Sequence, residues 1–434
     1  MLPNLSFNTN EIVDKEEQAL HEIYNFQIEK GRKEYIAVGV DGGSTHTRVN
    51  ILSKNDINPY DLSIIPSKCV LAGDEESVTV SEKLIDNMDS CIIDTTGRVD
   101  AVFNKERVLR GRKMEDSGLS STVLTTTKQK IKEKLFYINI IDAIGYAICM
   151  KYQDAIPEKV KLALAVALPP DDMASQRNRD EFTSSITGSY IWKGFEGHIS
   201  IEIDINEVIM DTEPHAFAWG YWLDKLSRGE LKQLPKNVIC INTGGRSTGI
   251  DLIKNSHRVP TASDTFNECG KSFMKMVKSK IVEVQGGKAP SDASILEAMN
   301  TGKLPRGNSS IDVTEYIRET AETFGDYYYK DILAICDAGD VELLDINEVI
   351  ICGGLTRRGD YDISFTDTLG TLIKNDSEDT VVSVIEDNFI PFGLSYTVYN
   401  QVKDTLFADE EEEEEEIDEV NLAEDEQETA ISEE

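Results

Sequence analysis

Apolar residues in this chain come in short runs that stop abruptly at glycine. Ile36 to Val40 is apolar but for Gly39 and ends at Asp41-Gly42-Gly43, which reads as a strand buried on both faces followed by a turn. The second half repeats the arrangement. Val238-Ile239-Cys240-Ile241 runs into Asn242-Thr243-Gly244-Gly245-Arg246-Ser247-Thr248, and Val349-Ile350-Ile351-Cys352 runs into Gly353-Gly354-Leu355-Thr356. Leu135 to Tyr152 is apolar nearly all round, as expected of a helix lying under a sheet. It leads into Val160 to Leu168, a strand stopped by Pro169-Pro170. Ile199 to Ile203 and Val208 to Met210 read as strands, and the chain then passes through Asp211-Thr212 into an apolar helix starting at Glu213-Pro214. After a loop at Asp264 to Gly270, Phe273, Met276, Val277 and Ile281 mark one side of a further helix, and a long helical stretch covers 313 to 336. Strands alternating with helices predict an α/β chain.

At 434 residues the chain exceeds one typical core. We expect a first domain over 35–214 with a small inserted subdomain at 53–128, a second domain over 215–390, and a return to the first over 391–405. Residues 1–34 form an N-terminal extension. Its apolar residues Ile12, Val13, Leu20, Ile23, Tyr24, Phe26 and Ile28, set in a charged background, predict an amphipathic helix. Residues 406–434 form a tail with 16 acidic residues from Asp409 onward and no Lys or Arg, which predicts disorder.

Charge and cysteine usage narrow the partners and compartment. Lys plus Arg number 44 against 79 Asp plus Glu, a net −35 that argues against direct nucleic-acid binding and against adsorption to an anionic membrane. The seven cysteines are scattered without a C-x-x-C pair, the pattern of reduced thiols in the cytoplasm. No apolar run approaches a membrane span, and His21, His198, His215 and His257 lack metal-ligand spacing.

The glycine turns carry candidate chemistry. Gly42 and Gly43 let main-chain N–H groups approach an anion, Ser44, Thr45 and Thr47 add hydroxyls, and Arg48 adds a cation, which together suit a phosphate. The same residues also suit a plain β-hairpin turn. Glu213 has two readings as well. It is a first-turn carboxylate favoured by the helix dipole with Pro214 at the first helical position, or a carboxylate that orients a water and accepts its proton.

Three strands ending in Gly-Gly, in this order, resemble the first phosphate loop, second phosphate loop and adenosine motif of the superfamily that unites actin, heat-shock chaperones and sugar kinases. Within it the chain is most similar to ParM-like prokaryotic actins, which show Asp-x-Gly-Ser-Thr-x-x-Lys where this chain has Asp41 to Arg48, and a strand ending in Leu-Pro as at Leu168-Pro169. The resemblance implies an α/β, actin-like (ribonuclease H-like) two-domain fold with the nucleotide in the interdomain cleft. It implies ATP or GTP with Mg²⁺, the metal held by Asp41 through water, and phosphates held by Asp41, Gly42, Gly43, Ser44, Thr45 and Arg48 on one side. Thr243, Gly244, Gly245, Arg246 and Ser247 would hold them on the other, with Gly270, Lys271, Gly353, Gly354 and Leu355 near the nucleoside. Glu213 would act in hydrolysis together with Asn242, which stands where the family pattern has Asp. Asp251 on the returning strand is a candidate to compensate for that lost charge. Such proteins assemble with themselves head to tail into filaments, usually multi-stranded, and reach plasmid centromere DNA through an adaptor protein. A sugar kinase of the same superfamily, or a nucleotide-binding scaffold without hydrolysis, are the alternatives.

Overall fold

The computed structural model describes residues 26–72, 90–95, 106–124, 129–285, 289–307, 309–356 and 364–406. The first half contributes β1 (Ile28–Gly42), β2 (His46–Leu52), β3 (Leu62–Pro66), β4 (Val70–Ala72), β5 (Ser90–Thr95) and β6 (Glu106–Leu109). Helices α1 (Gly111–Asp116) and α2 (Lys134–Tyr152) follow, then β7 (Ile156–Leu168), α3 (Pro170–Ala174), α4 (Gln176–Ile186), β8 (Gly188–Gly194), β9 (Ile199–Thr212) and α5 (Glu213–Ser227). The second half contains β10 (Asn237–Thr243), β11 (Thr248–Lys254), β12 (His257–Phe266), α6 (Gly270–Gln285), α7 (Asp292–Thr301), the hairpin β13 (Lys303–Arg306) and β14 (Ser309–Asp312), and α8 (Thr314–Ala338). It closes with β15 (Glu348–Gly353), α9 (Phe365–Asp376), β16 (Val381–Val384) and α10 (Ile390–Leu406).

The strands form a nine-stranded sheet in the order β3-β2-β1-β7-β9-β8-β5-β6-β4 and a five-stranded sheet in the order β12-β11-β10-β15-β16. Five strands of the first sheet, β3-β2-β1-β7-β9, have the order of the whole second sheet: an antiparallel meander on one side of the leading strand and two parallel strands on the other. One topology is therefore used twice, and each copy opens with a hairpin whose turn carries Gly-Gly.

The unbroken apolar runs arise because successive residues face different cores. Ile36, Val38 and Val40 of β1 point to a core shared with α2, while Tyr35 and Ala37 point to one shared with α5 and α10. In β10, Ile239 and Ile241 face α6 and α8, whereas Val238 and Cys240 face the α5/α10 core. That core thus lies between the two sheets. Small residues line it because helix backbone comes close: a Cβ on Gly39 would lie 2.0 Å from Pro391 O. Where α5 crosses α10, a Cβ on Gly393 would lie 2.0 Å from Ala216 O and one on Gly220 2.3 Å from Phe389 O, so the two connecting helices touch backbone to backbone.

Several expectations change. Residues 28–33, expected to close an N-terminal helix, are the start of β1, since Ile28 and Glu29 pair with Ile156 and Pro157 of β7 and cross-strand pairing overrides a short helical periodicity. Phe26 and Gln27 precede that strand without forming helix, Phe26 stacking on Phe195; the expected helix before residue 26 and the tail beyond 406 lie outside the described residues. Among the described residues, segment 53–128 adds β3 to one edge of the first sheet and β4, β5 and β6 to the other instead of building a sheet of its own. The runs at 199–203 and 208–210 are one strand, β9, whose pairing with β7 shifts register between Leu162 and Ala163. One helical segment among the described residues, Lys134–Ala155, is long and apolar enough to cross a membrane by length and composition, contrary to the expectation from short runs; 78% of its most apolar window is buried inside the protein.

Candidate functional site

The two Gly-Gly turns face each other across the boundary between the halves. In the first, Asp41 pairs with Arg48 and Gly42 with Thr47 before the chain turns through Gly43, Ser44 and Thr45. In the second, Asn242 pairs with Gly249 and Thr243 with Thr248, and Gly244 N–H donates to Ser247 O at 3.0 Å. A Cβ on Gly245 would sit 3.8 Å from Ser44 Oγ. Helix α6 starts on the second turn: the N–H groups of Gly270 and Lys271 donate to Gly244 O (3.1 Å) and Gly245 O (2.8 Å). Arg246 reaches across the boundary and donates to Leu124 O.

Below the first turn lies a buried polar cluster. Glu213, at the start of α5 and 7% exposed, receives Lys130 Nζ on Oε1 at 2.7 Å and Asn242 Nδ2 on Oε2 at 3.1 Å. The same Lys130 ammonium donates to Gly42 O at 3.2 Å. One cation thus ties the first turn to the strand-helix junction. The Asn242 amide donates to Glu213, a contact that an ionised Asp at this position could not make. Burial alone would lower the Lys130 pKa, but the Glu213 carboxylate, followed by Asp41 and Asp172, holds it above the ordinary lysine value. Asp172, fully buried at the start of α3, accepts Lys130 N–H at 3.0 Å. Burial pushes its pKa up to about 6 against the pull of that contact, and its Oδ1 has no partner.

Asp41, 5% exposed, ends β1 and accepts on Oδ2 from Arg48 Nη1 (3.2 Å) and from Asn388 Nδ2 (3.2 Å). Arg48, expected to face phosphate, is paired to Asp41 across the turn. At the third motif, Gly353 has φ +99°, and a Cβ there would lie 2.5 Å from Thr243 O, so both the backbone angle and the close approach require glycine. Gly354 faces open space, while Leu355 packs against the second core. Beside the start of α6, a pocket of about 260 Å³ opens between α6 and α8, lined among others by Glu268, Ser272, Lys275, Phe324 and Tyr327.

Asp251, a candidate to replace the charge that Asn242 lacks, lies elsewhere. It is fully buried, accepts from Thr212 Oγ1, and keeps Oδ1 unpartnered; burial pushes its pKa up to about 6. Nearby, His215, which lacks metal-ligand spacing in the sequence, contacts Asp211 Oδ2 through Nδ1 at 2.6 Å and Ser256 O through Nε2 at 3.2 Å, linking α5 to the β11–β12 turn. Both partners are acceptors, so the ring is an imidazolium. Burial works against that charge, but Asp211, Ser256 O and Asp251 raise the pKa to about 9. A folded-state value above the unfolded one contributes stability that is complete below pH about 6.5 and lost as pH rises through about 9. The stability difference between wild type and His215→Asn should therefore shrink by up to about 3 kcal/mol between pH 6 and 10. Urea melts across that range check this, and parallel profiles would mean a neutral ring.

The structure thus brings Asp41 to Thr45, Arg48, Glu213, Asn242 to Ser247, the start of α6 at Gly270 and Lys271, and Gly353 and Gly354 together where the halves meet, while Leu355 packs into the second core. Lys130, Asp172 and Asn388 were not found by sequence reasoning. Lys130 sits in the charged stretch Gln129-Lys130-Ile131-Lys132, where nothing sets it apart from a solvated lysine.

No protein-family model matches the chain, and no curated protein matches it. Solved structures do. The apo ParM of pSK41 aligns at a TM-score of 0.57 with 14% identity, covering 86% of this chain and 99% of that one. The archaeal actin homologue Ta0583 aligns at 0.58 with 15% identity, covering 85% and 100%, and has also been solved with ADP. Alp12 in its filament aligns at 0.53 with 15% identity, covering 85% and 99%. Two halves of one strand order, each presenting a Gly-Gly turn to the other, and structural matches over 85–86% of the chain together show that it has the ParM-like, actin-family two-domain fold.

Proposed function

We propose that the protein binds ATP or GTP with Mg²⁺ in the cleft, hydrolyses the nucleotide, and assembles head to tail into filaments that move plasmid DNA through an adaptor in the cytoplasm. The observation that carries this reading is the convergence of the two turns over the Glu213–Lys130–Asn242 cluster. Backbone N–H groups of two facing glycine turns suit phosphate oxygens. Gly354, facing open space beside the second turn, and the pocket next to α6 leave room for a nucleoside.

The residues present also fit a magnesium ion. Among the described residues there is no cluster of three or more His, Cys, Asp or Glu able to cage a metal, and magnesium with a triphosphate needs only one or two carboxylates plus phosphate oxygens and water. Asp41 would supply that carboxylate through water. When bound, the ion neutralises charge developing on the phosphates. Glu213, clamped on both oxygens by Lys130 and Asn242, orients a water towards the phosphate and accepts its proton. Lys130, bonded to both Glu213 and Gly42 O, fixes that carboxylate's distance from the first turn.

A triphosphate touching both turns favours the closed arrangement by its differential affinity. If that changes the outer surface, a heterologous contact propagates into an open polymer. The filament form of Alp12 supports self-association, and the net charge of −35 supports an adaptor in place of direct DNA contact. On adding nucleotide and magnesium, light scattering should rise above a critical protein concentration and fall as phosphate is released, with filaments visible by electron microscopy. Monomers under all nucleotides and salts would sink the filament reading.

A further inference from the structure

We infer that Ser67 is a positioning residue for the first phosphate turn, held by a buried Arg110–Asn139–Asp142 network beneath it. The inference rests on the nucleotide reading above. Ser67 lies between β3 and β4 and is fully buried, so it acts only through its neighbours. Its Oγ donates to Gly43 O at 2.7 Å and pairs with Thr47 Oγ1 at 3.0 Å. Its N–H donates to Thr45 O at 2.9 Å. The turn is therefore grasped on both flanks and at its leading glycine. With the carbonyls of Gly43 and Thr45 tied inward, a glycine-rich turn that would otherwise sample many conformations keeps one arrangement before any ligand arrives.

The strap is itself fixed. Arg110 Nη1 donates to Pro66 O at 2.5 Å, Asn139 Nδ2 donates to Ser67 O at 3.1 Å, and Arg110 Nη2 donates to Asn139 Oδ1 at 2.8 Å. Arg110 Nε meets Asp142 Oδ2 at 2.6 Å, and Asp142 Oδ1 accepts from Cys91 Sγ (2.7 Å) and Trp192 Nε1 (3.1 Å). Arg110 and Asp142 are 5% and 6% exposed. A buried ion pair seldom gains stability over apolar side chains of equal volume, and its best use is to fix geometry. Here the planar guanidinium spends one donor on the strap's backbone and another on Asn139, which holds the next carbonyl. Residues from β5, α2, β8 and the end of β6 thus converge on Pro66–Ser67, directly behind the turn.

A purely cohesive role would cost folding stability without regard to ligand, whereas a positioning role scales with the number of phosphates. Ser67→Ala and the near-isosteric Thr47→Val are compared with Thr380→Ala, a control in the other half that removes a fully buried hydroxyl bonded to Ile346 O at 2.9 Å. Each is titrated with nucleoside, diphosphate and triphosphate of adenine and of guanine in magnesium, and melted in urea. Ser67→Ala and Thr47→Val should weaken triphosphate binding roughly tenfold, the scale of one or two lost hydrogen bonds, with nucleoside affinity unchanged. Thr380→Ala should lose stability without changing any affinity. Equal losses for nucleoside and triphosphate, or a stability loss alone, would overturn the inference while leaving the nucleotide reading standing. A wild type that binds none of the ligands would overturn both.

Discussion

Asp41→Ala is expected to raise the dissociation constant for a magnesium triphosphate roughly a hundredfold or more, about 3 kcal/mol. The carboxylate sits at the end of β1, 5% exposed, and its two donors come from opposite ends of the chain, Arg48 across the turn and Asn388 just before α10. Removing it deletes the only charge at the first turn suited to a metal's water shell and releases Arg48 to turn elsewhere. Asp41→Asn separates the two effects. An amide oxygen still accepts from Arg48 and Asn388, so the turn keeps its shape while the negative charge is lost. If the carboxylate serves the ion, Asn is nearly as damaging as Ala and both variants lose the magnesium dependence of binding. Calorimetric titration with and without magnesium reads this directly. Unchanged affinity in Asp41→Ala would take the first turn out of the site.

Glu213→Gln should bind nucleotide like the wild type and hydrolyse it roughly a hundredfold or more slowly, the usual range for a lost general base. Glutamine is the informative choice. Alanine would strand the buried Lys130 ammonium, and breaking such a pair costs about 3–5 kcal/mol, so a slow alanine variant would mix chemistry with unfolding. The glutamine oxygen still receives Lys130 at the place of Oε1, and Asn242 can turn its amide to accept from the new NH₂. Single-turnover phosphate release gives the rate and a urea melt gives the stability. Release at the wild-type rate would return Glu213 to a helix-start role. If assembly follows binding and disassembly follows hydrolysis, the same variant should form filaments that persist.

What the sequence disclosed depended on how locally each feature is encoded. The leading strands β1, β10 and β15 were legible because both faces are buried, which leaves no polar alternation, and because each stops at glycines. The duplicated strand order showed only as the recurrence of those runs, since pairing partners such as β1 and β7 are separated by the whole 53–128 segment. The cluster under the turn was not legible. Lys130 gains its meaning from Gly42, 88 positions away, and Glu213, 83 positions away. Asn388 meets Asp41 from 347 positions away. No periodicity carries such information. Arg48 stands on β2, where the antiparallel register that sets it opposite Asp41 also gives it a partner.

The glycine contact between α5 and α10 sets the mechanical sensitivity of the cleft. With backbones touching at Gly220 and Gly393, the crossing of the two helices is the natural fulcrum for any tilt of one half against the other. Glu213 lies at the tip of the α5 arm, about 10 Å from that fulcrum at 1.5 Å rise per residue, so a swing of about 10° carries its carboxylate about 2 Å. Its bonds to Lys130 and Asn242 span 2.7 and 3.1 Å. On the proposed reading, a tilt of that size would take the carboxylate out of or into register with the first turn, so a subunit contact that produces it should change the hydrolysis rate.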